Sequence, residues 1–223
     1  MLLVPPPLFR SGTPALTFTF IGSARVTGLG GSSTTQSFDI GVPSANRHIL
    51  VVVSAYYQNF TGCTILGVAA TPIFVNSGTG AKHAFYLATV PSGSVGNIVI
   101  TVNASLTSGW AVDVYRIDKA TLPTLVDSET LQSNTQNLSN SGIVVPADGG
   151  IVVATRSGYT GAATRTFTWT GLTENSDGTM STNYHASVAS EKFGSGQNPL
   201  AIGVNCSGTI TGGNCGFSAV CLQ

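Results

Sequence analysis

The residues in this sequence that could do chemistry are few, and their spacing assembles no reaction. Nine carboxylates lie between Asp39 and Glu191 without a paired motif. Glycoside cleavage needs two facing carboxyls, and nucleophilic hydrolysis needs a Ser, a His and an acid in reach of one another. No G-x-S-x-G elbow occurs either. Gly78-Thr79-Gly80-Ala81-Lys82 has the look of a phosphate loop but lacks its spacing and the helix that should follow, so it reads as a hairpin turn. His83-Ala84 recurs as His185-Ala186, which raises a pseudo-symmetric metal site. No acidic residue or Cys stands beside either His at a helpful spacing, and the expected role is a half-buried strand-start His bonded to backbone. Cys63, Cys206, Cys215 and Cys221 have no CxxC spacing and lie far from the histidines, which argues against zinc. Two readings of them stand: buried free thiols, or a Cys206–Cys215 bridge across a hairpin. No catalytic residue, metal or cofactor is expected, and the chain is not expected to be an enzyme.

Aromatic rings are what remains for ligand contact. Tyr56, Tyr57 and Phe60 leave a strand for a loop, and Trp110 and Trp169 lie close to the turn glycines Gly109 and Gly171. Sugars stack on such rings, so Tyr56, Tyr57, Trp110 and Trp169 are candidate contacts for a host surface glycan. The competing reading is sandwich core and strand-end packing.

The elements that would position these residues are strands throughout. Leu16-Thr17-Phe18-Thr19-Phe20 alternates with period two, and Ile49 to Tyr57 has the β-branched and aromatic run of a central strand. Ala84–Leu87, Ile98–Val102 and Ala111–Ile117 follow in the first half. Ile143–Val145, Ile151–Thr155, Thr164–Trp169, Tyr184–Val188, Leu200–Val204 and Phe217–Leu222 follow in the second. Gly, Ser, Asn and Pro break the chain every ~8–12 residues, the spacing of a sandwich. No window holds a capped helical period.

The pattern also repeats. Besides the two histidines, Ile98, Ile100, Val102, Asn103 and Ser105 return 102 residues later as Leu200, Ile202, Val204, Asn205 and Ser207. Ile49 matches Ile151 at the same spacing. The expected fold is therefore all-β, an antiparallel β-sandwich of jelly-roll or Ig-like type built from two related halves. Residues 1–14 form an extended arm, 15–117 the first half and 118–223 the second, with the short crossing Lys119–Thr124 favouring one compact body. Whether the halves make two sandwiches or share one is open at this level.

Composition narrows the function classes. Charged residues make up only 8% of the 223, against roughly 25% in an average soluble domain. Apolar residues reach 42%, so a core can form, and polarity comes from Ser, Thr, Asn and Gly. A net charge of zero favours self-association. Nine basic residues with no run of three do not suit a phosphate backbone, so nucleic acid is not expected as a partner. No apolar stretch approaches the ~20 residues of a membrane span. The start, Met1 to Pro7, lacks the basic segment and long apolar run of a signal peptide. Its three prolines favour an extended arm, and Leu2, Leu3, Val4, Pro5, Pro6, Pro7, Leu8 and Phe9 are too apolar for a free tail. That arm either packs on its own domain or anchors in a neighbouring subunit.

One wider pattern covers roughly residues 16–222. An opening strand ends in Gly-Ser at Gly22-Ser23, a Pro-preceded strand runs from Ile49 to Val53, and a further strand leads to Gly67 and Thr71-Pro72. His83 to Ala88 follows, then Pro91-Ser92-Gly93-Ser94 with an alternating strand to Val102, and Gly149 to Val153 in the second half. In these motifs the chain resembles β-sandwich modules of the structural genes of tailed phages and prophages. The resemblance implies a virion-surface protein of capsid-decoration, head-fibre or tail-adhesin type, partnered by other capsid or tail proteins. By the same analogy it implies a homo-oligomer, with a trimer favoured. The fusion to further tail domains frequent in that family is absent, which points to a stand-alone decoration protein or spike.

Overall fold

A computed structural model describes residues 16–27, 31–76, 80–105, 109–159, 165–207 and 215–223. The arm expected over residues 1–14, with its contact residues Leu2 to Phe9, lies outside them. All regular structure among the described residues is β.

The first half contributes β1 (Thr17–Val26), β2 (Ser33–Asp39), β3 (Arg47–Tyr56), β4 (Phe60–Ile65), β5 (Val68–Ala69), β6 (Thr71–Val75), β7 (Ala81–Thr89), β8 (Val95–Val102) and β9 (Trp110–Asp118). They form an inner sheet ordered β1-β9-β3-β7-β6 and an outer sheet ordered β2-β8-β4-β5. The second half contributes β10 (Leu125–Ser133), β11 (Asn137–Val145), β12 (Gly150–Tyr159), β13 (Phe167–Thr170), β14 (Thr173–Ser181), β15 (Tyr184–Phe193), β16 (Gln197–Cys206) and β17 (Cys215–Leu222). Its inner sheet runs β10-β17-β12-β15-β14 and its outer sheet β11-β16-β13. Apart from β5, which has no counterpart in the second half, the two halves have the same strand order, and all pairings are antiparallel. The fold is the expected all-β sandwich of two related halves.

Burial shows how the four sheets stack. Ile49, Val51 and Val53 of β3 pack with Ile98 and Ile100 of β8 and with Val112 and Val114 of β9, filling the first sandwich. Val152 and Ala154 of β12 meet Ile202 and Val204 of β16 and Phe217 of β17 in the second. The opposite faces of the two inner sheets then close on each other. Leu50, Val52, Phe85, Leu87, Tyr115 and Ile117 from the first half pack on Ile151, Val153, Val188, Val220 and Leu222 from the second. The result is two sandwiches back to back, with a third apolar layer as their seam. β3 is therefore buried at every position, whereas β8, in an outer sheet, alternates between buried and half-buried from Ile98 to Val102.

This stacking corrects the repeat register. The spacing of 102 holds in the outer sheets, where Ile98, Ile100 and Val102 match Leu200, Ile202 and Val204 on the sandwich-facing side. In the central strands of the inner sheets, β3 and β12, it fails by one residue. Leu50, Val52 and Ser54 of the seam correspond to Ile151, Val153 and Thr155, which is a spacing of 101. A strand's side chains alternate faces, so a one-residue slip exchanges core for seam. Ser54 and Thr155 meet across the seam at 3.0 Å, Oγ to Oγ1.

Polar side chains hold the loops. Arg47, fully buried at the start of β3, donates to the carbonyls of Gly41, Val90, Ser92 and Gly93 at 2.6–2.9 Å. The crossing at 119–124 is tied at both ends, by Lys119 N to Asn46 O and by a reciprocal pair between Thr124 and Gln223. The four cysteines are buried and free, so the bridge alternative for Cys206 and Cys215 is not formed. Burial pushes all four thiols up, Cys63 to about 12.

Candidate functional site

The buried ionisable groups are the first place to look for chemistry, and they prove to be structural. His83, the third residue of β7, is fully buried and crosses the seam. Its Nδ1 lies 2.8 Å from Ser218 Oγ and its Nε2 2.8 Å from Ser157 Oγ. Burial pushes its pKa down to about 3, so the ring is neutral, and one ring nitrogen then donates while the other accepts. The expectation of a half-buried His bonded to backbone is corrected here, because the seam replaces water and backbone with second-half hydroxyls. His185 shares its strand parity with Ser187 and Ala189, which face the second sandwich's own core. The two histidines thus point into different layers. No group of three metal-ligating side chains occurs among the described residues.

A second polar link crosses the seam toward its other edge, at β1 and β9. Arg25 of β1 contacts Asp113 of β9 at 2.8 Å and reaches Ser176 of β14 at 3.1 Å. Burial holds the Asp113 carboxyl above its usual range, and the adjoining Arg25 guanidinium offsets only part of that. Tyr115 donates to Asn175 Oδ1 at 2.8 Å in the same layer. These groups tie one half to the other across the seam.

The aromatic candidates do not assemble into one stacking platform. Trp110 is fully buried in the first sandwich, 6.0 Å from Phe60 ring to ring. Trp169 turns inward against Phe217, and its Nε1 donates to Ser187 Oγ at 2.8 Å. Tyr56 is buried too. As glycan contacts Trp110 and Tyr56 are corrected to packing residues, because strand parity sends one ring into the first core and the other to the seam, while Trp169 is half-buried. Only Tyr57 is open, 61% exposed and in the left-handed backbone region at φ 69°. Its amide donates to Gly80 O at 2.7 Å. Its ring meets Tyr56 edge-on at 4.0 Å, and Tyr56 in turn meets Tyr184 at 4.5 Å across the seam. Sequence reading found Tyr56 and Tyr57 but missed Tyr184, which only the stacking of the halves brings near.

The outer sheets present the remaining surface. On the first, Thr35, Val99 and Thr64 share one cross-strand row, and Ser33, Thr101 and Gly62 the next. On the second, Asn137, Asn205 and Thr168 share a row, followed by Ser139, Gly203 and Thr170. Two adjoining hollows of about 370 and 350 Å³ lie over that second face and have Ser139, Thr170 and Gly203 in common. Sequence reading missed this face, since Ser, Thr, Asn and Gly in a β-rich chain also mark ordinary turns and exposed strand positions.

No family model matches this chain. No curated protein matches it either. Among solved structures it is similar to one described as "Crystal structure of PBSX exported protein XepA", at 11% identity, covering 93% of this chain and 86% of that one. The TM-score is 0.27, well short of a shared fold.

Proposed function

We propose that this chain is a non-catalytic structural protein of the phage virion surface, of capsid-decoration or head-fibre type, held to its particle by the apolar segment Leu2 to Phe9. The observation that carries the reading is where the polar groups go. Arg47, His48, His83 and Arg156, all buried, are engaged by carbonyls and hydroxyls that fix loops and seam. The outward faces of both outer sheets carry mainly Ser, Thr, Asn and small apolar side chains. A body with a stiff triple-layered interior and an uncharged, hydroxylated exterior suits display on an assembly of many copies. The motif resemblance to phage surface modules supports the same reading, and assembly as a homo-oligomer, by analogy a trimer, accompanies it.

The test is cryo-electron microscopy of particles carrying the full chain beside particles offered a version lacking residues 2–10. The full chain is expected in repeated copies on a head or tail, and the truncated one is expected to fold but stay in solution. Decoration by the truncated chain would remove the arm from the reading. A full chain absent from every particle would remove the virion role.

A further inference from the structure

The first sandwich is open along one flank, and the opening leads to a hydroxyl with nothing to bond. A hollow of about 390 Å³ lies between the β4–β5 edge of the outer sheet and the β6–β7 edge of the inner one. Phe60 and Tyr86 line its depth, Ala69, Ala70 and Pro72 its walls, and Val75 at the rim is 42% exposed. No charged side chain lines it. Its volume falls in the range of roughly 300–1,000 Å³ that ligand pockets occupy.

Tyr86 is the group that asks for a partner. It is 2% exposed and packs from β7 into the first core with Ala84 and Ala88. Its hydroxyl makes no hydrogen bond among the described residues. A buried Tyr hydroxyl is ordinarily bonded. Burial, with Cys63 alongside, pushes its pKa up to about 12, so the hydroxyl keeps its proton and can donate. The hollow therefore suits an uncharged, apolar partner that brings a bare acceptor.

The chain itself holds such a segment. Leu2 to Phe9 is apolar throughout, and Pro5, Pro6 and Pro7 offer carbonyls without an N–H. Pro-rich segments seat in aromatic-lined grooves at low entropic cost. The tether decides whose segment it is. Leu16 packs at the seam and its carbonyl accepts from Lys192 of β15, so the chain leaves beside the second half. β1, which follows Leu16, and β6, which walls the hollow, are opposite edges of one sheet, four strand spacings or about 19 Å apart. The seven residues from Phe9 to Leu16 reach at most about 25 Å when fully extended, and the straight line runs through the packed body. We propose that this hollow receives the Leu2–Phe9 segment of a second copy, with Tyr86 donating to a carbonyl of the proline run. The inference rests on the arm named in the proposed function and gives it a receptor, a neighbouring copy. A net charge of zero leaves little repulsion between the two.

The experiment is sedimentation velocity of the full chain over a range of concentrations, with and without a synthetic peptide of residues 2–9. Self-association that excess peptide reverses is expected. Tyr86→Phe should weaken association about tenfold while keeping or raising the melting temperature, because it removes only an unpaired hydroxyl. Thr64→Trp fills the hollow from a half-buried strand position and should abolish association, which supplies the same readout if the first variant does not fold. A full chain that is monomeric at every concentration, association that the peptide leaves intact, or association unchanged in both variants would each overturn the proposal. None of those results touches the particle role, which decoration by the full chain decides.

Discussion

Acid should loosen this protein through one side chain, His83, and the size of the effect can be worked out. The ring bridges Ser157 and Ser218 in the seam, and burial pushes its pKa to about 3. In the unfolded chain it titrates near its ordinary value of roughly 6.5. Between those values the unfolded state holds the extra proton, so stability is complete above about pH 6.5 and falls as pH drops toward the folded value. From pH 7 to 4.5 the linkage comes to about 2.5 kcal/mol. That figure hardly depends on the folded pKa, provided it lies below 4.5. The charged and titratable groups on neighbouring elements include Lys82 beside it on β7 and Arg156 beside Ser157 on β12, neither of which would welcome a second cation. The comparison is urea unfolding of the native chain and of His83→Gln at both pH values. A Gln amide can also donate to one Ser and accept from the other, but it does not titrate. His185 and the carboxylates contribute to both proteins and cancel in the difference. The native chain should lose about 2.5 kcal/mol more than the variant on acidification. Equal losses would refute the neutral-bridge assignment.

Two further variants probe the buried cations. Arg47→Ala removes the donor to four loop carbonyls and should cost about 3 kcal/mol or more, with Arg47→Lys recovering only part of it, as denaturant midpoints would show. Arg25→Ala leaves the Asp113 carboxylate buried without its partner and should cost about 3–5 kcal/mol at neutral pH. The loss should shrink as pH falls and Asp113 takes up a proton, so thermal melts at pH 7 and 5 distinguish it from a simple packing defect. If the deficit of the Arg25 variant is the same at both pH values, the buried-charge explanation is wrong.

What was legible in the sequence follows from local rules. Ile49–Val53, Ile98–Val102 and Phe217–Leu222 are strands because β-branched runs and period-two alternation have no other stable use at that length. β2, β10 and β14 were not legible. Segments such as Thr173–Ser181 carry almost no apolar pattern, and they are strands because an inner or outer sheet offers them an edge to pair with. The aromatic candidates show the same limit. Trp110 and Trp169 are conspicuous by type, but which face each occupies depends on strand parity relative to a core not yet assembled.

The sequence by itself determined that the chain is all-β, duplicated, nearly uncharged and free of any paired catalytic motif, since composition, alternation and repetition are properties of the chain alone. Only the tertiary structure decided that the two inner sheets close on each other. That closure buries Leu50 against the second half, carries His83 to Ser157 and Ser218, and exchanges core for seam with a one-residue slip in the repeat. It also leaves the outer sheets facing solvent. The physical reason is that a strand has two faces, and sequence alternation separates them without saying what each will meet.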